Sequence, residues 1–111
     1  MPSTSDDLFQ CLADPTRRRI LDLLAERGTL TVSQLGAEFP DLVVSGISKH
    51  LMVLRAAGLV SATRQGRQQL YRIDADGLAE ALAPWLAKYE PYWSTALERL
   101  RDLAEGPEPP Q

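Results

Sequence analysis

The sequence predicts a mainly α-helical domain that carries one small β-hairpin, and three observations carry that prediction. Apolar residues recur at steps of three and four through most of the 111 residues, the spacing that lines one face of a helix. Only 59–63 and 69–73 read as short strands, rich in Val, Thr, Leu, Tyr and Ile, with Gly66 between them to supply a positive φ. With 44% hydrophobic residues, the chain is long enough to bury one small core.

The first helix is expected over 5–13, where Leu8, Cys11 and Leu12 share a stripe and Asp6 and Asp7 complement the positive end of the helix dipole. "DPTRRRILDLLAERG" follows as a cleaner helix. Asp14 can accept hydrogen bonds from the first free amides, Pro15 sits where a missing N–H costs nothing, and Gly28 ends the helix. Its buried face is Ile20, Leu21, Leu23 and Leu24. A third helix opens at Thr31, which has capping-box spacing to Gln34; Val32, Leu35 and Phe39 face inward and Pro40 closes it. The fourth spans 44–57 and stops at Gly58, burying Ile47, Leu51 and Leu54 and presenting Ser45, Ser48, Lys49, Met52 and Arg55 on its other side. After the hairpin a helical pattern runs over 75–104 through Leu78, Leu82, Trp85, Leu86, Tyr89, Trp93, Leu97, Leu100 and Leu103. Pro84 and Pro91 are expected to bend or break it. The domain is expected to span 1–105, and 106–111, which lacks apolar anchors, to be a disordered tail.

Charge is distributed unevenly. Residues 42–73 contain Lys49, Arg55, Arg64, Arg67 and Arg72 and no Asp or Glu, so this stretch carries +5 while the whole chain carries −3. A helix–turn–helix followed by a hairpin makes a winged helix, and the major groove of DNA, about 12 Å wide, admits one helix. The fourth helix is expected to enter the groove while the third crosses the backbone. Val44, Ser45, Ser48, Lys49 and His50 are the candidate groove contacts, with Arg64 and Arg67 at the hairpin tip on flanking DNA. A phosphate-facing surface excludes carboxylates because each repels the backbone at close range. The competing readings are a solvated charged face and a winged-helix module that docks a protein and never reads DNA.

"LADPTRRRILDLL", "ISKHLMVLRAAGLV" and "RQGRQQLYRI" together resemble the ArsR/SmtB type of winged helix–turn–helix transcriptional repressor, over about Leu8 to Leu103. The resemblance implies a homodimer whose first and last helices form the interface, here Leu8, Cys11, Leu12, Trp85, Tyr89, Trp93, Leu97 and Leu100. It also implies a palindromic operator, and repression relieved by an effector such as a small-molecule inducer or a metal ion. The metal part does not carry over. The third helix has "TVSQLGAEF" where metal-sensing members place paired cysteines, and the last helix has no His. No cofactor is expected. The turn "FPDLVV" also departs from the pattern, with Val43 or Val44 where a polar cap is usual; Asp41 is expected to cap instead, the register being open by a residue or two.

Single residues carry further expectations. Cys11, the only cysteine, is either a small apolar core residue or a redox trigger, and nothing basic near it in sequence lowers its pKa. Trp85, Tyr89, Tyr92 and Trp93 form an interface stripe or line a small-molecule pocket. Arg17 makes a structural ion pair or a phosphate contact. Ser48 and His50, two apart on a helix, face different ways and cannot act as nucleophile and base, and no glycine loop cradles a phosphate, so no enzyme is expected. With no secretory leader and no membrane-length apolar run, the expected location is the cytoplasm, with no membrane partner.

Overall fold

The computed structural model describes residues 4–106. Their elements run α1 (Thr4–Leu12), α2 (Pro15–Arg27), β1 (Leu30–Thr31), α3 (Val32–Gly36), α4 (Val44–Ala56), β2 (Val60–Gln65), β3 (Gln68–Ile73), α5 (Ala75–Lys88) and α6 (Glu90–Glu105). The tail expected over 106–111 lies outside the described residues except for Gly106, the residue that ends α6.

Three helix starts form where capping chemistry places them. Asp14 Oδ1 accepts from the backbone N–H groups of Thr16 (2.8 Å) and Arg17 (3.2 Å), with Pro15 in the first turn. Thr31 Oγ1 accepts from Gln34 N–H at 3.1 Å and Gln34 Oε1 accepts from Thr31 N–H at 2.8 Å, completing the capping box. Asp74 caps α5 by accepting from Gly77 N–H at 3.0 Å.

Three features differ from expectation. Helix α3 ends at Gly36, well short of Pro40, because a weak helix former stands where a five-residue helix has little else to sustain it. The hairpin becomes a three-stranded antiparallel sheet of order β1-β3-β2, since Leu30 pairs with Tyr71 and Thr31 with Leu70. The long terminal pattern splits in two. Pro84 remains inside α5 without ending it, and the break falls at Tyr89 (φ −113°, ψ 16°), with Pro91 in the first turn of α6, where no amide donor is needed.

One core joins these elements. Leu8 and Cys11 of α1, Ile20, Leu23 and Leu24 of α2, and Leu35 of α3 meet Ile47, Leu51 and Leu54 of α4, with Leu59, Val60, Tyr71 and Ala81 closing the sheet and α5 sides. Each large side chain buried there contributes about 1.5–3 kcal/mol. Helix α4 is thus fixed along its inner side, which leaves its outer side free to project. Helix α5 is set against the end of α4 by a close approach: a Cβ on Gly77 would lie 1.8 Å from the carbonyl oxygen of Gly58, which itself has φ +79°.

Leu8 and Cys11 were expected in a dimer interface, and the structure corrects this: both lie inside the protomer, at 0% and 2% exposure. The stripe of α1 faces its own α2 and α5, and Phe9, off that stripe, is the large apolar side chain that α1 exposes. Leu12 is half-buried against the core. In contrast, α6 buries none of its residues.

Candidate nucleic-acid interface

Helix α4 begins at Val44, with Val43 as its N-cap and no side-chain cap hydrogen bond, so the cap expected from Asp41 does not form. Its outer side carries Val44, Ser45, Lys49, Met52 and Arg55 in the open, because the buried positions 47, 51 and 54 occupy the opposite side. Ser48 is half-buried on the flank toward the wing. It lines a cleft of about 340 Å³ with Thr31 and Ser33 at the start of α3 and Arg67 and Gln69 on the wing. Ser33 and Gln69 are polar donors that the sequence reading missed. Nothing local marks them; β1–β3 pairing brings them beside α4.

The wing tip is a two-residue turn, Gly66 and Arg67, between the paired Gln65 and Gln68, with Gly66 at φ +62°. Arg64 Nε donates to the carbonyl of Gly66 at 3.2 Å, and Arg72 Nη1 donates to Thr63 Oγ1 on the neighbouring strand at 2.9 Å. All five cations of residues 42–73 are exposed. None of them pairs with a carboxylate among the described residues, where the ion pairs are Arg17–Asp14, Arg27–Glu38 and Arg101–Glu105. The surface of α4 and the wing therefore presents uncompensated positive charge in a chain that is acidic overall.

Arg17 belongs to a different arrangement. Its Nε donates to the carbonyl of Cys11 at 2.8 Å and Nη2 to that of Gln10 at 3.4 Å, while Nη1 lies 3.7 Å from Asp14 Oδ2. It ties the end of α1 to the start of α2, the arrangement expected of a structural ion pair. Nη1 also lies 3.5 Å from His50 Nδ1, so His50 sits half-buried on the α2 flank of α4, apart from Ser45 and Lys49. Arg17 is the basic neighbour that Cys11 lacks in sequence. Burial nonetheless dominates and pushes the Cys11 thiol above its ordinary 9.0, with Asp14 adding to it, against the charge and hydrogen bond of Arg17. A buried, protonated thiol is a poor nucleophile. For Asp14, burial works to raise the carboxyl. The amide donors of Arg17 and Thr16, with the electrostatic influence of His50 and Arg17, outweigh it and hold the group below its ordinary 3.8.

The remaining candidates gather on another face. The rings of Phe9 and Trp85 meet edge to face at 5.5 Å between centroids, and Trp85 lies 5.0 Å from Tyr89. Trp93 Nε1 donates to the carbonyl of Leu86 at 2.8 Å, bridging α6 to α5. Leu97 and Leu100 are 52% and 59% exposed, and Leu103 continues the row. Among the described residues no three His, Cys, Asp or Glu side chains gather as a metal site, and no helix is long and apolar enough to cross a membrane.

A helix-turn-helix domain family matches residues 12–61. The HTH-type transcriptional regulator Rv0081 of Mycobacterium tuberculosis is 44% identical over 104 residues, covering 90% of this chain and 87% of that one. An ArsR-like transcriptional regulator from Rhodococcus sp. RHA1 superposes with a TM-score of 0.66 at 31% identity, over 91% of this chain and 92% of that one. The homodimeric winged helix-turn-helix DNA-binding domain Mb0332 from Mycobacterium bovis, a possible ArsR-family regulator, gives 0.62 at 32% identity, over 78% and 80%. These relatives are regulators and not enzymes, the family model runs from the end of α1 into β2, and the chain belongs to the ArsR/SmtB-type winged helix–turn–helix transcriptional regulators.

Proposed function

We propose that the protein is a homodimeric repressor that occupies a palindromic operator. Each protomer sets α4 in one major groove, and the half-site centres lie about 34–36 Å apart or a multiple of that. Ser45, Ser48 and Lys49 face base edges and phosphates, and Arg64 and Arg67 of the wing hold flanking DNA. The observation that carries this reading is the exposed, carboxylate-free surface shared by α4 and the wing, with five cations that no acid neutralises among the described residues. Self-association is supported by the unburied leucines of α6 and the aromatic pairs of α1 and α5, and by the homodimeric relative. The site of action is the cytoplasm, where DNA of a regulated promoter is accessible. A small-molecule inducer relieves repression. The cleft of about 480 Å³ bounded by Gln10, Cys11 and Arg17 on one side and Val53 and Ala57 on the other joins α1 and α4.

Selection from a random-sequence duplex library tests the proposal. The expected product is a pair of inverted half-sites bound one dimer per duplex. Retention of DNA with no common sequence, at an affinity equal to that for the starting library, would rule the proposal out.

A further inference from the structure

At the mouth of α4 the chain gives up a cap and exposes apolar surface in the same place. Val43 is extended (φ −79°, ψ 158°), and its side chain satisfies none of the free N–H groups of the helix. The starts of α2, α3 and α5 are capped by Asp14, Thr31 and Asp74, whereas α4, like α6, begins with no side-chain cap hydrogen bond. Ser, Thr, Asp or Asn at that position stabilises a helix relative to an aliphatic residue. Val43 is 71% exposed and Val44 61%.

A single exposed valine needs no explanation. Two in succession, at the end of the helix that projects from the fold and within the stretch free of acid, have no partner in the protomer. A DNA phosphate offers an isopropyl group nothing. The major groove offers one apolar feature, the C5-methyl group of thymine, and the N-terminal residues of a groove-entering helix are those that meet base edges. Valine suits such a contact because its branched β-carbon restricts χ1, so little side-chain freedom is lost on binding.

We propose that Val43 and Val44 read thymine methyl groups, making thymine at one or two positions of each half-site a determinant of specificity. This rests on α4 being the reading helix. It explains the missing cap, because a serine at residue 43 would turn its hydroxyl back to the helix N–H groups and leave the methyl without an apolar neighbour.

The test uses duplexes selected by the wild-type protein, with each thymine replaced in turn by deoxyuridine, which removes the methyl and keeps base pairing. Burying one methyl-sized group accounts for an expected loss of about fourfold in affinity at one or two positions per half-site, and none elsewhere. The V43S/V44S variant is expected to bind thymine and deoxyuridine duplexes alike, and V43S alone to unfold at a Tm a few degrees higher because serine restores the cap. Equal affinity of the wild type for both bases at every position, on a duplex it still selects, overturns the inference and leaves the DNA reading standing. A deoxyuridine loss that persists unchanged in V43S/V44S also overturns it, since the methyl then acts through DNA shape. A protein that selects no sequence removes both.

Discussion

At Arg17 one guanidinium spans three segments, touching the last carbonyls of α1, the cap of α2 and His50 of α4. Its side chain is only 17% exposed, so truncation strands two carbonyls in a partly buried place. Arg17→Ala is expected to cost about 1.5–3 kcal/mol in urea unfolding, the range for hydrogen bonds to a charged group. Arg17→Lys recovers little of it, because an ammonium cannot reproduce the fork that meets both carbonyls. Asp14 gives a prediction in pH. Its carboxyl titrates below 3.8 in the folded chain, so folding favours the ionised form. The resulting stability is present above pH 3.8 and is lost as pH falls through the lower folded value. The unfolding free energies of wild type and Asp14→Asn, compared across pH, should differ by a constant amount near neutrality and converge on acidification below that point. Parallel curves down to the acid limit would show that the carboxylate charge is not what stabilises the cap. Asp14 and its cap are legible in the sequence because capping is a contact over two or three residues. Arg17 is legible only in its ion pair with Asp14, three residues away; the carbonyls of α1 and His50 of α4 come to it through packing.

Among the elements, α5 and the wing make opposite demands. Gly77 lets the first turn of α5 rest on the end of α4, with no room for a methyl group beside the Gly58 carbonyl. Gly77→Ala is expected to destabilise by about 1–3 kcal/mol, the cost of overpacking a tight contact, although alanine favours helix by about 1 kcal/mol at an unconstrained position. Thermal unfolding decides it: a Tm at or above the wild type would mean that the contact yields freely. The wing, by contrast, packs little at its tip and is available to DNA. Arg64→Ala or Arg67→Ala should weaken binding to all duplexes and reduce the slope of log affinity against log salt by about 1 for each phosphate left without its cation. Ser48→Ala should leave that slope unchanged and relax the preference at one base pair. Equal slopes for all three variants in a gel-shift salt series would contradict this division. The strands of the wing were readable from composition, and their partner β1 was not. A two-residue strand has no periodicity of its own and exists because β3 lies beside it.

For the whole molecule, α6 is the face left to a partner, since it buries none of its residues in the protomer. If a second copy covers it, Leu97→Asp with Leu100→Asp should give a monomer in sedimentation equilibrium and weaken operator binding by at least about tenfold, while the core keeps its fold. A double variant that still sediments as a dimer would place the interface elsewhere. This row of leucines follows directly from spacing in the sequence, as do the start and stop of most helices, the inner side of α4 and the carboxylate-free stretch. Each is decided by neighbours within four residues, through hydrogen-bond capping, side-chain period and local charge, so the sequence by itself determined them. The tertiary structure alone decided that Leu8 and Cys11 face inward, that Arg17 is engaged within the fold, that Gly77 meets Gly58, and that Ser33 and Gln69 stand beside Ser48. These depend on which surfaces meet across the core, and the same local pattern is compatible with more than one such meeting.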